Sequence, residues 1–396
     1  MTKPKVLLAF SGGLDTSYCV KYLSDERGYE VHSALVDTGG FSPEELKDIE
    51  QKAYGLGVVS HVVLDVVQKY YHDCIRYMVY GNVLKNNTYP LSVSAERVFQ
   101  ATAVAEYANK IGAKAIAHGS TGAGNDQVRF DVVFRIMNPD VEIITPIRDM
   151  QLSREDEIEY LKSKGVVRDW VKNQYSINKG LWGTSVGGKE TLTSNGFLPE
   201  SAWPTQVTKT GEETVKLHFE KGEFVGINGV TMSPVAAIRA LAAMASPYGI
   251  GRDIHVGDTI IGIKGRVGFE AAAPLIIIKA HHLLEKHTLT KQQLYFKQLL
   301  GDNYGTMLHE GQFLEPAMRN IETFLTDTQT FVTGTVDVQL APYRYFLTGI
   351  ESPYDLMSPV FGAYGEMNKA WSGDDVRGFS KIVSNQTMIH RKVTGL

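Results

Sequence analysis

The sequence predicts an α/β protein: a parallel, doubly wound sheet in the N-terminal part, followed by an α+β part. Over roughly the first 168 residues, strand-like and helix-like segments alternate, which is typical of parallel strands joined by crossover helices. The first strand-like segment, KVLLAF (residues 5–10), is continuously apolar, as in a strand covered on both faces. After about residue 168 the alternation ends, and hairpin-like strands and a Gly/Ser/Thr-rich stretch follow.

The elements of the first part follow from periodicity and end signals. Ser42 followed by Pro43 indicates the start of a helix that ends near Gly57. Residues 94–112 have the length and spacing of a long helix that leads into a buried strand. The predicted strands are 5–10, 31–37, 58–66, 113–119 and 141–147, and the predicted helices are 14–27, 42–57, 94–112 and 153–165.

The second part has mixed patterns. We predict an irregular segment at 178–197, a helix at 233–245, a strand at 258–265 and helices near 274–287 and 290–300. The C-terminal residues 378–396 are amphipathic, which fits either a surface helix or packing on a partner subunit. The predicted division is 1–168 for nucleotide binding, 169–365 for the substrate and synthetase part, and 366–396 for an oligomerisation tail.

The composition excludes several classes of protein. The 396 residues carry 40 Lys and Arg against 44 Asp and Glu, a net charge of −4, so a broad basic surface for nucleic acid is not expected. Cys19 and Cys74 form no CxxC pair and no disulfide framework. A strand begins directly after MTKPK, and no apolar run is long enough for a membrane helix. We therefore expect a cytoplasmic protein that binds neither nucleic acid nor membrane.

Residues 11–17, SGGLDTS, form a polar turn between the first strand and the first helix, and we call this segment the glycine loop. Free N–H groups and the helix dipole favour an anion there, and Gly12 and Gly13 allow close approach. The segment has neither the lysine of GxxxxGK[ST] nor the spacing of GxGxxG. It predicts a phosphate site of another kind, and the alternative is a tight turn in which Asp15 merely begins a helix.

A second polar segment, AHGSTGAGNDQVRFD (117–131), also joins a strand to a helix. If the helix begins near Gly124, Asn125 and Arg129 share one face and Asp126 lies one turn from Arg129. An amide, a carboxylate and a guanidinium together suit a zwitterion such as an amino acid. The alternative is a surface helix with an internal Asp–Arg pair.

The glycine loop resembles the pyrophosphate loop of the ATP pyrophosphatases, which cleave ATP between its α and β phosphates. HGSTGAGNDQVRF, NTYPLSVSAER (87–97) and YSINKGLWGTS (175–185) extend this resemblance to the argininosuccinate synthase family, from Val6 to residue 382. The resemblance implies a Rossmann-like, adenine nucleotide alpha hydrolase-like domain, a synthetase domain and a C-terminal oligomerisation tail.

The resemblance implies a ligase that condenses citrulline with aspartate in arginine biosynthesis. ATP would be consumed with Mg²⁺, a citrullyl-adenylate would form, and AMP and pyrophosphate would be released by a homotetramer. Asp15 and Asp126 are the implied catalytic residues, with Asp15 orienting the loop or the hydrated metal; no side chain is assigned as a metal ligand. The implied binding residues are Ala9, Phe10, Ser11, Gly12, Gly13, Leu14, Asp15, Thr16, Ser17, Val36 and Gly119 for ATP; Thr121, Asn125 and Asp126 for aspartate; and Tyr89, Ser94, Asn125, Arg129, Ser176, Ser185 and Asp258 for citrulline.

The sequence departs from the family pattern at two places. Gly257 stands where a glutamate for the α-amine of citrulline is expected, and Phe269 replaces a tyrosine. Residues 178–180 read Asn-Lys-Gly in place of an aspartate–glutamate–asparagine run. Either Asp258 supplies the missing carboxylate, or the substrate is an N-acylated citrulline without a cationic amine.

Three other interpretations compete with this one. A tRNA-modifying ligase or thiolase needs a basic surface and often a cysteine pair, which this sequence lacks. A GMP or NAD synthetase needs an ammonia source, and no glutaminase cysteine lies near the N-terminus. A nucleotide-binding regulatory module without catalysis would need only the first domain.

Overall fold

The structure, a computed structural model, describes residues 3–122, 124–168, 170, 175–366 and 369–396. The strands are β1 Lys5–Ala9, β2 Glu30–Asp37, β3 Ser60–Asp65, β4 Ala115–Ala117, β5 Glu142–Ile144, β6 Tyr175–Gly180, β7 Gly183–Gly188, β8 Glu213–Glu220, β9 Glu223–Ile227, β10 Val230–Thr231, β11 Arg252–Asp258, β12 Lys264–Glu270, β13 Gly334–Ala341 and β14 Arg344–Glu351. The helices are α1 Leu14–Lys21, α2 Pro43–Leu56, α3 Val67–Tyr70, α4 Arg76–Tyr80, α5 Ser94–Ile111, α6 Asp126–Met137, α7 Pro146–Asp149, α8 Arg154–Ser163, α9 Pro234–Ala245, α10 Ala272–Thr288, α11 Lys291–His309, α12 Pro316–Thr328 and α13 Gly373–Thr394. The predicted boundary after residue 168 is next to residues outside these ranges, and residues 367 and 368 of the predicted tail lie outside them. The three-part division therefore stays a prediction.

The first part contains the predicted parallel, doubly wound sheet. Its strand order is β3-β2-β1-β4-β5, and every neighbouring pair is parallel. The apolar run of β1 is buried on both faces: Val6 and Leu8 pack with Cys19 of α1, whereas Leu7 packs in the cluster that contains Val104 of α5. Because β1 lies in the centre of the sheet between two helical layers, its residues after Lys5 are all apolar.

The helix-end signals of the first part are confirmed, and the strands predicted at 113–119 and 141–147 are shorter than predicted. Ser42 accepts a hydrogen bond from the Glu45 N–H, and the Glu45 carboxylate accepts one from the Ser42 N–H, a capping box at the start of α2. The first helix continues past α1 as a π-helical turn, Tyr22–Glu26. The strand predicted at 113–119 is limited to β4, because the polar residues after it form the loop that leads into α6.

The second part contains two antiparallel sheets, with orders β10-β9-β8-β13-β14 and β11-β12-β7-β6. The irregular segment predicted at 178–197 is partly wrong, because β6 and β7 form a hairpin that continues the sheet of β12. Paired main-chain groups stabilise this hairpin although its residues are small and polar. The strand predicted at 258–265 is also wrong: residues 259–263 form a turn, closed by the Thr259 N–H to the Ile263 carbonyl and helped by Gly262 at φ +85°.

The β6–β7 hairpin attaches the second part to the carboxyl edge of the parallel sheet. At its tip, the Leu181 N–H donates to the Thr38 carbonyl at 2.9 Å, just after β2. The adjacent Trp182 is fully buried, and its Nε1–H donates to the Pro90 carbonyl at 3.0 Å. The tip of the hairpin thus lies at the edge of a doubly wound sheet where ligands normally bind.

Helix α13 stands apart from these cores. None of its residues is buried, although Phe379, Ile382 and Val393 are apolar. Among the residues that the structure describes, no helix combines the length and apolarity that crossing a membrane requires. The cysteines Cys19 and Cys74 are buried free thiols.

Candidate active site

The glycine loop joins β1 to α1 at the carboxyl edge of the sheet. Gly12 has φ +77°, a conformation that glycine adopts without strain, and Gly13 precedes the first turn of α1. The Ser17 hydroxyl donates to the Gly13 carbonyl at 2.7 Å, and the Thr16 hydroxyl donates to the same oxygen at 3.3 Å. These bonds fix the curvature of the loop and leave the N–H groups of the first helical turn directed at a ligand.

The other residues assigned to ATP from the sequence surround this loop. Phe10 and Val36 are buried at the ends of the neighbouring strands β1 and β2. Gly119 follows β4, and a Cβ added there would lie 3.2 Å from the Cβ of Asp15. The loops after β1 and β4 are therefore in contact, which requires a small residue at 119.

Asp15, in the first turn of α1, is hydrogen-bonded to Glu157 of α8. Glu157 is buried, and its second carboxyl oxygen has no hydrogen-bond partner. Burial and the neighbouring Asp15 raise the pKa of Glu157 to about 8, and burial also raises the pKa of Asp15. The pair therefore shares a proton at neutral pH, so that only one negative charge lies behind the glycine loop.

Glu157→Gln is expected to flatten the dependence of stability on pH. The folded protein keeps the Glu157 proton up to about pH 8, whereas the unfolded chain releases it near pH 4.3, so the free energy of unfolding falls as pH rises through this window. The contribution is at most about 1.4 kcal/mol per pH unit. Urea unfolding of wild type and Glu157→Gln between pH 5 and 8 measures it, with the exposed Glu155→Gln as control. Parallel curves for wild type and Glu157→Gln would show that no proton is held there.

A cavity of about 250 Å³, here called the substrate cavity, opens where α5, α6 and the β11–β12 hairpin meet. Its lining combines cations, amides and hydroxyls with few apolar groups. The residues around it are Tyr89, Val93, Ser94, Arg97, Gly124, Asn125, Asp126, Arg129, Asn178, Ser185, His255, Gly257, Asp258, Thr259, Gly265, Arg266, Val267 and His309.

Asp126 is held between two guanidinium groups in this cavity. Arg97 Nε donates to Asp126 Oδ2 at 3.0 Å, and Arg129 Nη1 donates to Asp126 Oδ1 at 2.9 Å. Desolvation favours the protonated carboxyl, but the charges of Arg97 and Arg129 hold the pKa of Asp126 below its ordinary value. Its side chain keeps 42% of its area exposed, so an ionised carboxylate faces the cavity.

Arg129 and Asn125 are fixed by the second part of the chain. Arg129 is buried, and its Nε donates to the His309 carbonyl at 2.9 Å at the end of α11. Burial and the adjacent Arg129 charge lower the pKa of His309 to about 3, which leaves its ring neutral. The Asn125 Oδ1 accepts from the Ile260 N–H at 2.8 Å, in the turn between β11 and β12. The substrate cavity therefore forms only when both parts of the chain are folded together.

Most of the substrate residues assigned from the sequence line the cavity, and two do not. Those present are Tyr89, Ser94, Asn125, Asp126, Arg129, Ser185 and Asp258. Ser176 is exposed on β6, outside the lining. Thr121 borders a separate cavity of about 550 Å³ with Gln127 and Arg148. The roles of all these residues stay predictions.

Sequence reasoning missed several lining residues. Arg97 is the most connected of them, since its guanidinium also donates to Glu96, Gln100 and Asn178. It is the fourth residue of α5 and the last of the NTYPLSVSAER segment, but the sequence alone gave no reason to assign it a role. His255 stacks on Tyr89, with ring centroids 5.0 Å apart, and could be found only from the pairing of β11 with β12.

The structure gives a physical account of the departure at residue 257. A Cβ added to Gly257 would lie 2.5 Å from Nε2 of His255, so the imidazole occupies the space of the missing side chain. Asp258 lines the cavity, but its carboxylate pairs with Lys264 at 2.6 Å, and this hydrogen bond lowers the pKa of Asp258. The α-amine of citrulline would therefore have to compete with the Lys264 ammonium for the Asp258 carboxylate. The role of Asp258 in binding that amine stays a prediction.

A parallel sheet with a glycine–hydroxyl loop after β1 and a polar cavity after β4 defines a HUP-type nucleotide-binding enzyme. In agreement, the family model described as the arginosuccinate synthase N-terminal HUP domain matches residues 5–167, and that of the arginosuccinate synthase C-terminal domain matches residues 175–390. The chain belongs to the argininosuccinate synthase family.

Curated relatives agree over nearly the whole chain. The argininosuccinate synthase of Methanocaldococcus jannaschii is 38% identical over 387 residues, which cover 97% of each chain. Those of Dictyoglomus turgidum and Xanthomonas campestris pv. campestris are 36% and 35% identical; they cover 98% and 99% of this chain, and 98% and 100% of their own lengths. The predicted family and fold class are confirmed.

Proposed function

We propose that this protein condenses citrulline with aspartate at the expense of ATP, releasing AMP and pyrophosphate. The observation that carries the proposal is Asp126, an ionised carboxylate held by Arg97 and Arg129 in the substrate cavity. The loop after β4, which leads to Asp126, also contacts Asp15 of the glycine loop through Gly119. Family membership and the curated relatives named argininosuccinate synthase support it.

In the first step, the ureido oxygen of citrulline attacks the α-phosphorus of ATP, and the bond to the β-phosphate breaks. The glycine loop holds the departing pyrophosphate through N–H groups at the start of α1, which also explains why the loop needs no lysine. Mg²⁺ enters with ATP as part of the substrate. Asp15 orients the loop and the hydrated ion. The proton that it shares with Glu157 limits the negative charge near the phosphates, which would otherwise repel them.

In the second step, the amine of aspartate attacks the ureido carbon and AMP leaves as that C–O bond breaks. Asp126 accepts a charge-assisted hydrogen bond from the aspartate ammonium, which loses a proton to solvent before it attacks, and Asn125 binds an aspartate carboxylate. Citrulline lies against Tyr89, Ser94, Arg129 and Ser185. Thr121 and Ser176, which the sequence assigned to aspartate and citrulline, lie outside this cavity and have no part in the proposed mechanism. Most of the catalysis is positioning and charge stabilisation rather than proton transfer by a dedicated base.

Pyrophosphate release from Mg-ATP with aspartate and citrulline tests the function, with the nucleotide product resolved as AMP or ADP. AMP and pyrophosphate in equal amounts support the proposal. N-acetylcitrulline and N-succinylcitrulline serve as comparison substrates for the N-acylated alternative, which the names of the relatives do not favour. Absence of AMP with all three amino acids would refute the proposed activity.

We also propose a cytoplasmic homotetramer assembled through the C-terminal tail. Two buried, unpaired cysteines fit a reducing compartment. Helix α13 carries an apolar stripe that nothing in the described part of the chain covers, and such a stripe is normally buried against a partner. The stripe consists of Val376, Phe379, Ile382, Val383, Ile389 and Val393, each at least 47% exposed.

Phe379→Asp combined with Ile382→Asp is expected to reduce the assembly from tetramers to smaller species. Two charges in the apolar stripe would have to be buried without partners on association. Light scattering coupled to size exclusion measures the mass, and Ser384→Asp on the opposite face of α13 is the matched control. An unchanged mass for the double variant would remove the tail from the interface.

A further inference from the structure

Glu96 is a buried acid that the reaction described above does not use. It follows Ser94 near the start of α5, and only 1% of its surface is exposed. Its Oε2 accepts from the Thr38 hydroxyl at 2.7 Å, and its Oε1 accepts from Arg97 Nη1 at 3.2 Å. It therefore connects the carboxyl end of β2, beside the ATP site, to the arginine that holds Asp126.

Glu96 also lies against the tip of the β6–β7 hairpin. A Cβ added to Gly180 would lie 2.0 Å from Glu96 Oε2 and 3.5 Å from the Thr38 hydroxyl. Gly180 does not have a positive φ, so its backbone accepts a side chain, and the obstacle is the Glu96 carboxylate alone. One residue of the hairpin lacks a side chain because a carboxylate from α5 occupies that space.

Arg97 is the link between this carboxylate and the substrate. It donates to Glu96, to Asn178 of β6 and to Asp126, so three elements meet at one guanidinium. A guanidinium is planar and has a fixed donor geometry, and removing one acceptor lets it rotate toward the others. A substitution at Glu96 would therefore change the position of Arg97 and, through it, of Asp126, rather than the glycine loop.

We infer that Glu96 is a positioning residue for the aspartate-dependent step, acting through Arg97 on Asp126. Its carboxylate takes the place of a side chain at position 180 and fixes the β6–β7 hairpin, Arg97 and Asp126 in one arrangement. The expected effect on kinetics rests on the proposed function. The packing of Glu96 against Gly180 does not, because it involves no substrate.

The kinetic test separates the two half-reactions. Glu96→Gln is expected to lower kcat/KM for aspartate by roughly 10- to 100-fold, the range for one lost charge-assisted hydrogen bond. Citrulline-dependent exchange of labelled pyrophosphate into ATP, measured without aspartate, is expected to stay within about threefold of wild type, because the Leu181–Thr38 and Trp182–Pro90 hydrogen bonds still hold the hairpin and its Ser185 in place. Equal losses in both assays would mean a general structural role and would overturn the inference.

Moving the carboxylate from α5 to the hairpin is the sharper test. In Glu96→Ala with Gly180→Asp, the new carboxylate would extend into the space that Glu96 leaves, within reach of Thr38 and Arg97. This double variant is expected to recover most of the aspartate kcat/KM, and Glu96→Ala with Gly180→Ala, which has no carboxylate, is the control. Equal activity of the two double variants would overturn the inference.

Thermal unfolding keeps this result distinct from a failure of the proposed function. Gly180→Asp alone should lower Tm because the new side chain collides with Glu96, and Glu96→Ala should remove most of that loss. This coupling needs no substrate. If the coupling in Tm is found but wild type shows no citrulline-dependent exchange, the proposed function fails and the packing of Glu96 against Gly180 is retained. If the coupling in Tm is absent, the inference fails.

Discussion

Asp126→Asn is expected to lower kcat/KM for aspartate by roughly 100-fold, while KM for Mg-ATP changes by less than about threefold. The amide keeps the shape of the side chain but has no negative charge to pair with an ammonium, and it leaves Arg97 and Arg129 without their shared carboxylate. The residues that line the substrate cavity do not include the glycine loop, the proposed site of ATP, so the contacts of that loop are retained. Steady-state kinetics with each substrate varied in turn measures the effect.

The matched control for Asp126→Asn is Asp149→Asn, an acid at the end of α7 that is more than half exposed and pairs with Arg148. It removes the same charge from the same part of the chain and is expected to leave kcat/KM for aspartate unchanged. If Asp126→Asn retained the wild-type value, the carboxylate between the two arginines would be only a structural ion pair.

Asp15→Ala is expected to reduce turnover by roughly 100- to 1,000-fold and stability far less. In the proposed mechanism the carboxylate orients the glycine loop around the departing pyrophosphate, so its loss acts on the transition state. The effect on folding is smaller, because the loss of the hydrogen bond to Glu157 is offset by the removal of the repulsion between two neighbouring acids. Turnover with saturating substrates and urea unfolding of the same preparations give the two quantities.

The control for Asp15→Ala is Asp140→Ala, an exposed acid in the segment before β5. Both quantities should stay near wild type for it, since the substitution of an exposed surface side chain has little effect. Equal proportional losses of turnover and stability in Asp15→Ala would place the residue in the packing of α1 against α8 and not in catalysis.

Local signals in the sequence were sufficient for most of the first domain. The apolar run of β1, the Ser42–Pro43 start of α2 and the glycine loop depend on contacts between near neighbours, and the structure has all three. The second part was predicted less well: the β6–β7 hairpin pairs with β12, which is distant in sequence, and the 259–263 turn interrupts an apolar run that was taken for one strand. Small polar residues carry no periodicity that would reveal such pairing.

By itself, the sequence determined the parallel, doubly wound fold, the glycine loop and the Asp126–Arg129 pair, because each depends on local patterns along the chain. Only the tertiary structure decided what surrounds them. It brought Arg97 to Asp126, Glu157 to Asp15 and Glu96 against Gly180. The charge of a buried carboxylate depends on desolvation and on neighbours from other elements, and neither quantity can be read from the order of residues.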